Sequence, residues 1–208
     1  MSAPFRFAVG SRTQFLGGPS FSVLAIILVA GLWPFHAPLN DVDWSSPAGG
    51  LVLGKHGSLL SPSELRRQPP VAGQPCSLEI HLQPRRLDYA GTILAFYFPD
   101  SRETGFTLRQ SLSDLKLESR ELSGSRTRSK LYVDAFKAAK PIAISIVSAE
   151  KGTSVYLDGV LARKSSDVKL SSSDLAGRII LGNVPSTADS WSGKLIGLAV
   201  YDHELSPT

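Results

Sequence analysis

Hydrophobic and polar residues alternate along most of the second part of the chain, in short runs separated by turn-forming residues. In 78–82 the apolar side chains fall on one face of a strand, and Glu79 and His81 fall on the other face. The isoleucines of 142–146 alternate in the same way with smaller residues. This pattern predicts ten strands, at 50–53, 76–82, 91–98, 106–110, 112–117, 131–135, 142–147, 153–157, 178–181 and 193–201.

The clearest local signal is the pair Asp158-Gly159, which stands between two alternating apolar runs. It predicts a two-residue hairpin turn, because Asp and Gly both adopt positive φ at low cost. No stretch after residue 40 shows a sustained helical stripe, and no repeat of 20–50 residues is present. The predicted fold class is therefore all-β, a two-sheet antiparallel jelly-roll sandwich rather than a parallel α/β sheet.

The N-terminal part of the chain follows a different pattern. Residues 15–35 carry no charge, and at about 1.5 Å per residue they would reach roughly 30 Å, the thickness of a bilayer core. We predict a transmembrane helix here, with Trp33 at the interface and with Gly17, Gly18 and Gly31 allowing a second helix to approach closely. A cleaved signal peptide and a buried core helix remain the alternatives.

The charges around this segment predict its orientation. Arg6 and Arg12 precede it, whereas Asp41 and Asp43 follow it, and the positive-inside bias then leaves the N-terminus in the cytoplasm. The C-terminal domain is accordingly expected on the periplasmic or extracellular side of the cell membrane. The predicted organisation is a cytoplasmic tail (1–14), a single transmembrane helix (15–35), a linker (36–49) and a jelly-roll domain (50–208).

Composition and charge narrow the functional classes. The chain has 208 residues and is 42% hydrophobic, which suits one domain with a core plus an appendage. The formal net charge is +4, but residues 41–208 hold 20 basic and 18 acidic residues, so nucleic-acid binding is not expected. The single cysteine, Cys76, excludes an internal disulfide, and its strand context predicts a small buried residue.

Three segments of the second part carry a family resemblance. SVYLDGVL at 154–161, GRIILG at 177–182 and the C-terminal WSGKLIGLAVYDHELS at 191–206 resemble the C-terminal half of laminin-G-like, concanavalin A-like domains. The resemblance covers roughly 50–206 and implies a two-sheet jelly roll, with Trp191 packed between the sheets. An anchor followed by such a domain is also similar to proteins in which the domain precedes a VanZ-type membrane region. These domains bind sugars or proteins, so the resemblance says little about function.

Catalytic chemistry is not indicated. Glucanases of the resembled fold carry closely spaced acids on one strand, whereas Glu118 and Glu121 lack such a partner set, and we predict that the protein is not an enzyme. Many relatives in the resembled family hold one calcium ion, but no loop here gathers three acids. The four histidines lie far apart, which argues against zinc. We predict that the protein has no cofactor, with a bound calcium ion as the alternative.

Two exposed features remain as candidate contacts. Arg126, Arg128 and Lys130 lie in a short basic stretch, which is typical of a solvated loop or of a contact with anionic headgroups or an acidic partner. Trp44 is an indole outside the anchor that is available for sugar stacking.

The sequence supports two hypotheses for function. The first is a non-enzymatic accessory or structural subunit of a larger membrane complex, photosynthetic or respiratory, with the lipid bilayer and other integral membrane subunits as partners. The alternative is a lectin-like protein that binds carbohydrate of the cell envelope. Exposed aromatic side chains on a concave surface would favour the glycan hypothesis.

Overall fold

The computed structural model describes residues 17–32, 39–46, 49–65, 73–101, 103–120, 128–183 and 190–206. The chain divides into two compact units, Met1–Pro38 and Leu39–Thr208.

The first unit contains one helix, α1 (Gly17–Leu32), which has 16 residues. No residue in its first turn is acidic and none in its last turn is basic. Its exposed large side chains are all apolar: Phe21, Val23, Leu24, Ile26, Ile27 and Leu28. Across the described ranges no helix combines the length and the apolar character that crossing a bilayer requires. The predicted anchor is thus not confirmed, and Trp33 lies outside the described residues.

The second unit is built from thirteen described strands that form two antiparallel sheets. In chain order they are β1 (Val42–Trp44), β2 (Leu51–Leu53), β3 (Leu59–Leu60), β4 (Cys76–Pro84), β5 (Ala90–Phe98), β6 (Glu103–Ser111), β7 (Asp114–Arg120), β8 (Arg128–Asp134), β9 (Ile142–Ala149), β10 (Gly152–Leu157), β11 (Val160–Ser165), β12 (Arg178–Leu181) and β13 (Gly193–Tyr201). Sheet A has the order β1-β2-β13-β4-β9-β10-β11, and sheet B has the order β3-β12-β5-β6-β7-β8. The predicted all-β class with two antiparallel sheets is confirmed.

The core lies between the two sheets, where the alternating apolar residues meet. Leu78, Ile80 and Leu82 of β4 are buried, and Cys76 is buried on the same strand, as expected. Trp191 is fully buried, and its Nε1 donates a 2.8 Å hydrogen bond to Oε1 of Gln110. The prediction that this tryptophan belongs to the core is therefore confirmed.

The predicted hairpin is present at the end of β10. Asp158 has φ 49° and Gly159 has φ 80°, so both central residues take the left-handed conformation that a two-residue turn of this kind requires. The turn joins β10 to β11, and β11 is the edge strand of sheet A. Its residues are exposed almost throughout, because only one side of the strand is paired.

All ten predicted strands are present, although the ends of several differ from the predicted ones. β1 pairs with β2 and lies within the predicted linker, so the sheet begins before residue 50. The strand predicted at 112–117 begins two residues later, at Asp114. The reason is the turn at Leu112, which has φ 58° and donates its backbone N–H to the carbonyl of Tyr89.

Candidate functional site

A concave surface of about 650 Å³ lies where the open edge strands of the two sheets, β8 and β11, come together with the loop 135–141. We call it the edge groove. Its lining combines two aromatic residues with five charged and several apolar ones: Tyr132, Val133, Asp134, Ala135, Phe136, Lys137, Ala138, Lys140, Pro141, Ile142, Leu157, Asp158, Val160, Ala162 and Arg163. The volume of this cleft lies within the range of small-molecule binding sites.

Hydrogen bonds and burial fix the loop that forms one wall. The backbone N–H groups of Ala135 and Phe136 both donate to the carbonyl oxygen of Ser113, at 3.2 and 2.8 Å. Farther along, Nε2 of Gln83 donates to the carbonyl oxygen of Ala139 at 2.9 Å. The Phe136 side chain is buried in the core. The wall is therefore held both to the turn between β6 and β7 and to β4.

The opposite wall depends on the β10–β11 hairpin. Oδ1 of Asp158 accepts a 2.9 Å hydrogen bond from the backbone N–H of Ala143, and the Asp158 N–H donates to the Ala143 carbonyl at 2.8 Å. This reciprocal pair ties the turn to β9. It positions Val160 and Arg163 of β11 along the rim of the groove.

The exposed aromatic ring of the groove is Tyr132, which is 48% exposed although it lies on a paired strand, whereas Phe136 is buried. The ammonium group of Lys116 lies 5.6 Å from the centre of the ring, in a cation–π contact. The same ammonium is 2.8 Å from Oε1 of Glu118, which keeps it in place. Tyr132 is consequently held by a neighbouring strand while much of its surface remains accessible to a ligand.

The formal charges of the edge groove favour anions. Three basic side chains line it, namely Lys137, Lys140 and Arg163, against the carboxylates of Asp134 and Asp158. Asp158 accepts the backbone hydrogen bond described above, whereas Asp134 lies 3.8 Å from Nζ of Lys137 and offsets that charge, so the lining has a formal net charge of +1. The groove thus presents more donors and positive charge than acceptors.

A second concave surface lies on the outer face of sheet A. It consists of two adjoining cavities of about 300 and 80 Å³ that share Glu79 and Ser145, and we call it the Glu79 trough. The Tyr201 hydroxyl donates to Oε2 of Glu79 at 3.0 Å. This hydrogen bond and the negative charge of Glu79 raise the pKa of Tyr201, because the phenolate would lie beside a carboxylate.

The candidate residues from the sequence do not lie together. Trp44 is 66% exposed on β1, the edge of sheet A opposite to β11. Arg128 begins β8, and Nζ of Lys130 on the same strand is 3.9 Å from Oε1 of Glu118. Neither Trp44 nor Lys130 lines the edge groove. Gly17, Gly18 and Gly31 belong to α1, and Arg126 lies outside the described residues.

The sequence analysis missed Tyr132 and the cations of the groove, although one signal was available. Leu131 and Val133 are buried, whereas the alternating residues Lys130, Tyr132 and Asp134 face outward on β8. That alternation marks the strand's polar face and includes a large aromatic residue. It does not reveal that this edge meets β11, which depends on the tertiary fold.

Glu118 and Asp174, two acidic residues outside the edge groove and the trough, both contact neighbouring side chains. Glu118 is engaged by Lys116, as described, and Glu121 lies outside the described residues. Asp174 is buried, and its Oδ2 accepts hydrogen bonds from the N–H and the hydroxyl of Ser171. Burial raises the pKa of Asp174, and the two hydrogen bonds oppose that rise. Within the described part of the chain, no three His, Cys, Asp or Glu residues are grouped so that they could hold a metal ion.

Comparisons with known proteins define the fold more closely than the function. No protein-family model and no curated protein sequence matches the chain. Among solved structures, the receptor-binding domain of botulinum neurotoxin D is similar over 81% of this chain and 44% of its own, with a TM-score of 0.61 and 13% identity. This chain therefore spans less than half of the length of that domain.

Two other similar structures come from different organisms. A heptameric SAP-like pentraxin from Limulus polyphemus matches over 72% of this chain and 71% of its own, with a TM-score of 0.52 and 18% identity. The CBM40 domain of the Ruminococcus gnavus IT-sialidase, bound to α2,3-sialyllactose, matches over 65% and 80%, with a TM-score of 0.52 and 16% identity. The chain shares the jelly-roll sandwich fold of these domains, consistent with the concanavalin A-like architecture that its sequence resembles.

Proposed function

We propose that this protein is a carbohydrate-binding module whose edge groove recognises an acidic glycan. The observation that carries the proposal is the exposed ring of Tyr132 in one groove with Lys137, Lys140 and Arg163. An aromatic ring offers an apolar face to the C–H side of a sugar, and cationic donors pair with a carboxylate. Fixed walls on both sides mean that the groove requires little ordering when a ligand binds.

The similar structures support the glycan rather than the subunit hypothesis. A further botulinum neurotoxin D ligand-binding domain, with a TM-score of 0.57 and 13% identity, is described in complex with N-acetylneuraminic acid. The CBM40 domain is described with sialyllactose. Both are binding domains rather than catalytic ones, which is compatible with a non-enzymatic role here. At these identities the likeness concerns the fold, so the charge of the groove itself is the main support.

The test is calorimetric titration of the full chain with sialyllactose, and with lactose as the neutral sugar of the same core. We expect sialyllactose to bind measurably more tightly than lactose, because only the former carries a carboxylate. Replacing Tyr132 by Ala should weaken binding by about tenfold, since the ring contact is lost. Equal affinity for the two sugars would contradict the acidic specificity, and wild-type affinity in the Tyr132 variant would contradict the site.

A membrane location is a second proposal, which a specific feature of α1 favours. The helix exposes Phe21, Ile26 and Ile27 among other apolar side chains, and such a surface is favoured in contact with lipid or with an apolar partner. We propose that α1 attaches the binding domain to the membrane on the extracytoplasmic side. A role as an accessory subunit of a membrane complex stays a prediction.

Extraction of native membranes in mild detergent, followed by sizing and mass spectrometry, tests both statements. Recovery of the chain in the membrane fraction is expected, and recovery in the aqueous fraction would contradict the attachment. Stoichiometric co-migration with integral membrane proteins would favour the subunit role. Migration as a small detergent-bound monomer would argue against it.

A further inference from the structure

We infer that the Glu79 trough is a second binding site, distinct from the edge groove, and that it takes a sugar carrying a free primary amine. The ammonium group would pair with the Glu79 carboxylate, and the sugar ring would occupy the larger of the two cavities. The inference goes beyond the acidic-glycan proposal, because it concerns another surface and a ligand of opposite charge.

The shape of the trough follows from small residues on two paired strands, β9 and β13. Its floor includes Ala143 of β9 together with Gly197 and Ala199 of β13. A Cβ placed on Gly197 would have one neighbour within 4 Å, the Cβ of His81 at 3.9 Å, so the space above this residue is open. The register of β13 against β4 shifts between Leu195 and Gly197, which adds a local irregularity to the floor.

Glu79 is held in a defined position at the junction of the two cavities. Oε2 accepts the Tyr201 hydrogen bond at 3.0 Å, and Oε1 accepts a longer one from the Ser145 hydroxyl at 3.4 Å. A carboxylate offers about four acceptor positions, so acceptor capacity remains for a ligand beyond these two donors. The side chain is half-buried, and a charge-assisted hydrogen bond there is less screened than at a fully exposed position.

The charge of the trough selects the ligand. Glu79 is the one formally charged side chain among the described residues that line its two cavities. The smaller cavity adds the ring of Tyr156, and a carboxylate beside an aromatic ring is a favourable environment for an ammonium group. An alkylammonium brings three donors and one positive charge, which complements this set.

The tail that follows β13 closes one side of the trough. Leu205 and Ser206 line the smaller cavity. The Ser77 hydroxyl donates to the carbonyl of His203 at 2.8 Å and accepts from the N–H of Leu205 at 3.0 Å, which holds the tail against β4. The larger cavity, about 300 Å³, is at the lower end of the range for ligand sites and suits a single sugar ring rather than a long chain.

The experiment compares a glucosamine trimer with its fully N-acetylated counterpart, using the full chain and calorimetric titration. The two probes share the sugar rings and differ in the charge on nitrogen. We expect the glucosamine trimer to bind at least about tenfold more tightly, and Glu79→Gln to remove that difference while retaining an oxygen that accepts from Tyr201. The matched control is Glu150→Gln, which makes the same chemical change at an exposed turn residue outside the trough.

A second variant keeps the inference testable if Glu79→Gln disturbs the fold. Ala143→Leu places a larger side chain on the open floor and should also abolish binding of the amine, with the carboxylate intact. Equal binding of the two trimers, or undiminished binding in the Ala143 variant, would overturn the inference. Sialyllactose binding should be unchanged in Glu79→Gln, so a failure of the edge-groove proposal would be recognised separately.

Discussion

The edge groove and the Glu79 trough are both concave, yet they differ in charge and in construction. The groove lies between edge strands and a loop, and long basic side chains line it. The trough lies on the face of β4, β9 and β13, where each strand is paired on both sides and the side chains of the floor are small. The edge groove is concave because a gap lies between the edge strands of the two sheets. The Glu79 trough is concave because the side chains of its floor are small.

This difference predicts how each surface tolerates change. Residues on strands that are paired on both sides are held by ladder hydrogen bonds, so the position of Glu79 should change little on binding. The edge groove depends on contacts of the loop 135–141 and of the hairpin turn, which are fewer. Substitutions that reverse a charge in the edge groove, or that remove a hydrogen bond holding one of its walls, should therefore weaken ligand binding in the groove and not in the trough.

The largest effect is expected from charge reversal in the groove. Arg163→Glu should weaken sialyllactose binding by about thirtyfold, or ~2 kcal/mol, because a like charge then faces the carboxylate. Lys164→Glu is the matched control, since it makes the same change in net charge on the neighbouring exposed residue of β11 that does not line the groove. Calorimetric titration measures both. Equal losses in the two variants would indicate a general effect of net charge instead of a local site.

A smaller effect is expected when the hairpin wall is released. Asp158→Ala removes the 2.9 Å hydrogen bond from Ala143 and places alanine at φ 49°, so the free energy of unfolding should fall by about 1–2 kcal/mol. Asp158→Asn retains an acceptor and tolerates this φ, and it should lose much less. Urea unfolding measures the difference. Sialyllactose binding should weaken in the alanine variant, whereas binding of the glucosamine trimer in the trough should persist. A parallel loss of both ligands would contradict the independence of the two surfaces.

The trough has its own spectroscopic test. Because the hydrogen bond to Glu79 and the Glu79 charge raise the pKa of Tyr201, Glu79→Gln should lower that pKa towards the ordinary phenol value. The interaction of the neutral Tyr201 phenol with Glu79 stabilises the folded state fully at pH values below the pKa of an unfolded tyrosine. This stabilisation is lost as the pH rises through the raised pKa of Tyr201 in the folded protein. Ultraviolet titration of phenolate formation follows this, with Tyr201→Phe identifying the signal. Superimposable titration curves for wild type and Glu79→Gln would show that the two groups do not interact.

The smallest effect is expected at the opposite edge of sheet A. Trp44→Ala removes the exposed indole that the sequence marked for sugar stacking, but β1 lies at the far edge from β11. Affinity for sialyllactose should change by less than about twofold. A large loss of sialyllactose affinity in calorimetric titration would indicate that the glycan site lies at β1 and not in the edge groove.

The strands were predictable because their alternation is local, and the sites were not because they are assembled from distant segments. The alternation at 78–82 already separated Glu79 and His81 from the core residues. The partners of Glu79, however, lie 122 and 66 residues away in the sequence, at Tyr201 and Ser145. Their proximity depends on the pairing of β4 with β13 and β9, which periodicity does not specify.

Short edge strands were missed for a related reason. β1 and β3 have three and two residues, too few to display an alternating pattern. Their pairing with β2 and β12 is what defines them as strands. The edge groove shares this limitation, because it needs β8 and β11 to lie side by side although they belong to different sheets.

The central place of β13 in sheet A has a consequence for biosynthesis. β13 lies between β2 and β4, so the two parts of the sheet are joined only when the last strand has been inserted. Until β13 has emerged from the ribosome, the nascent chain carries two incomplete sheet fragments with unpaired inner edges, and such edges promote aggregation. Folding of this sheet is therefore expected to wait for the synthesis of β13, and chaperone protection is most valuable during the interval before β13 emerges.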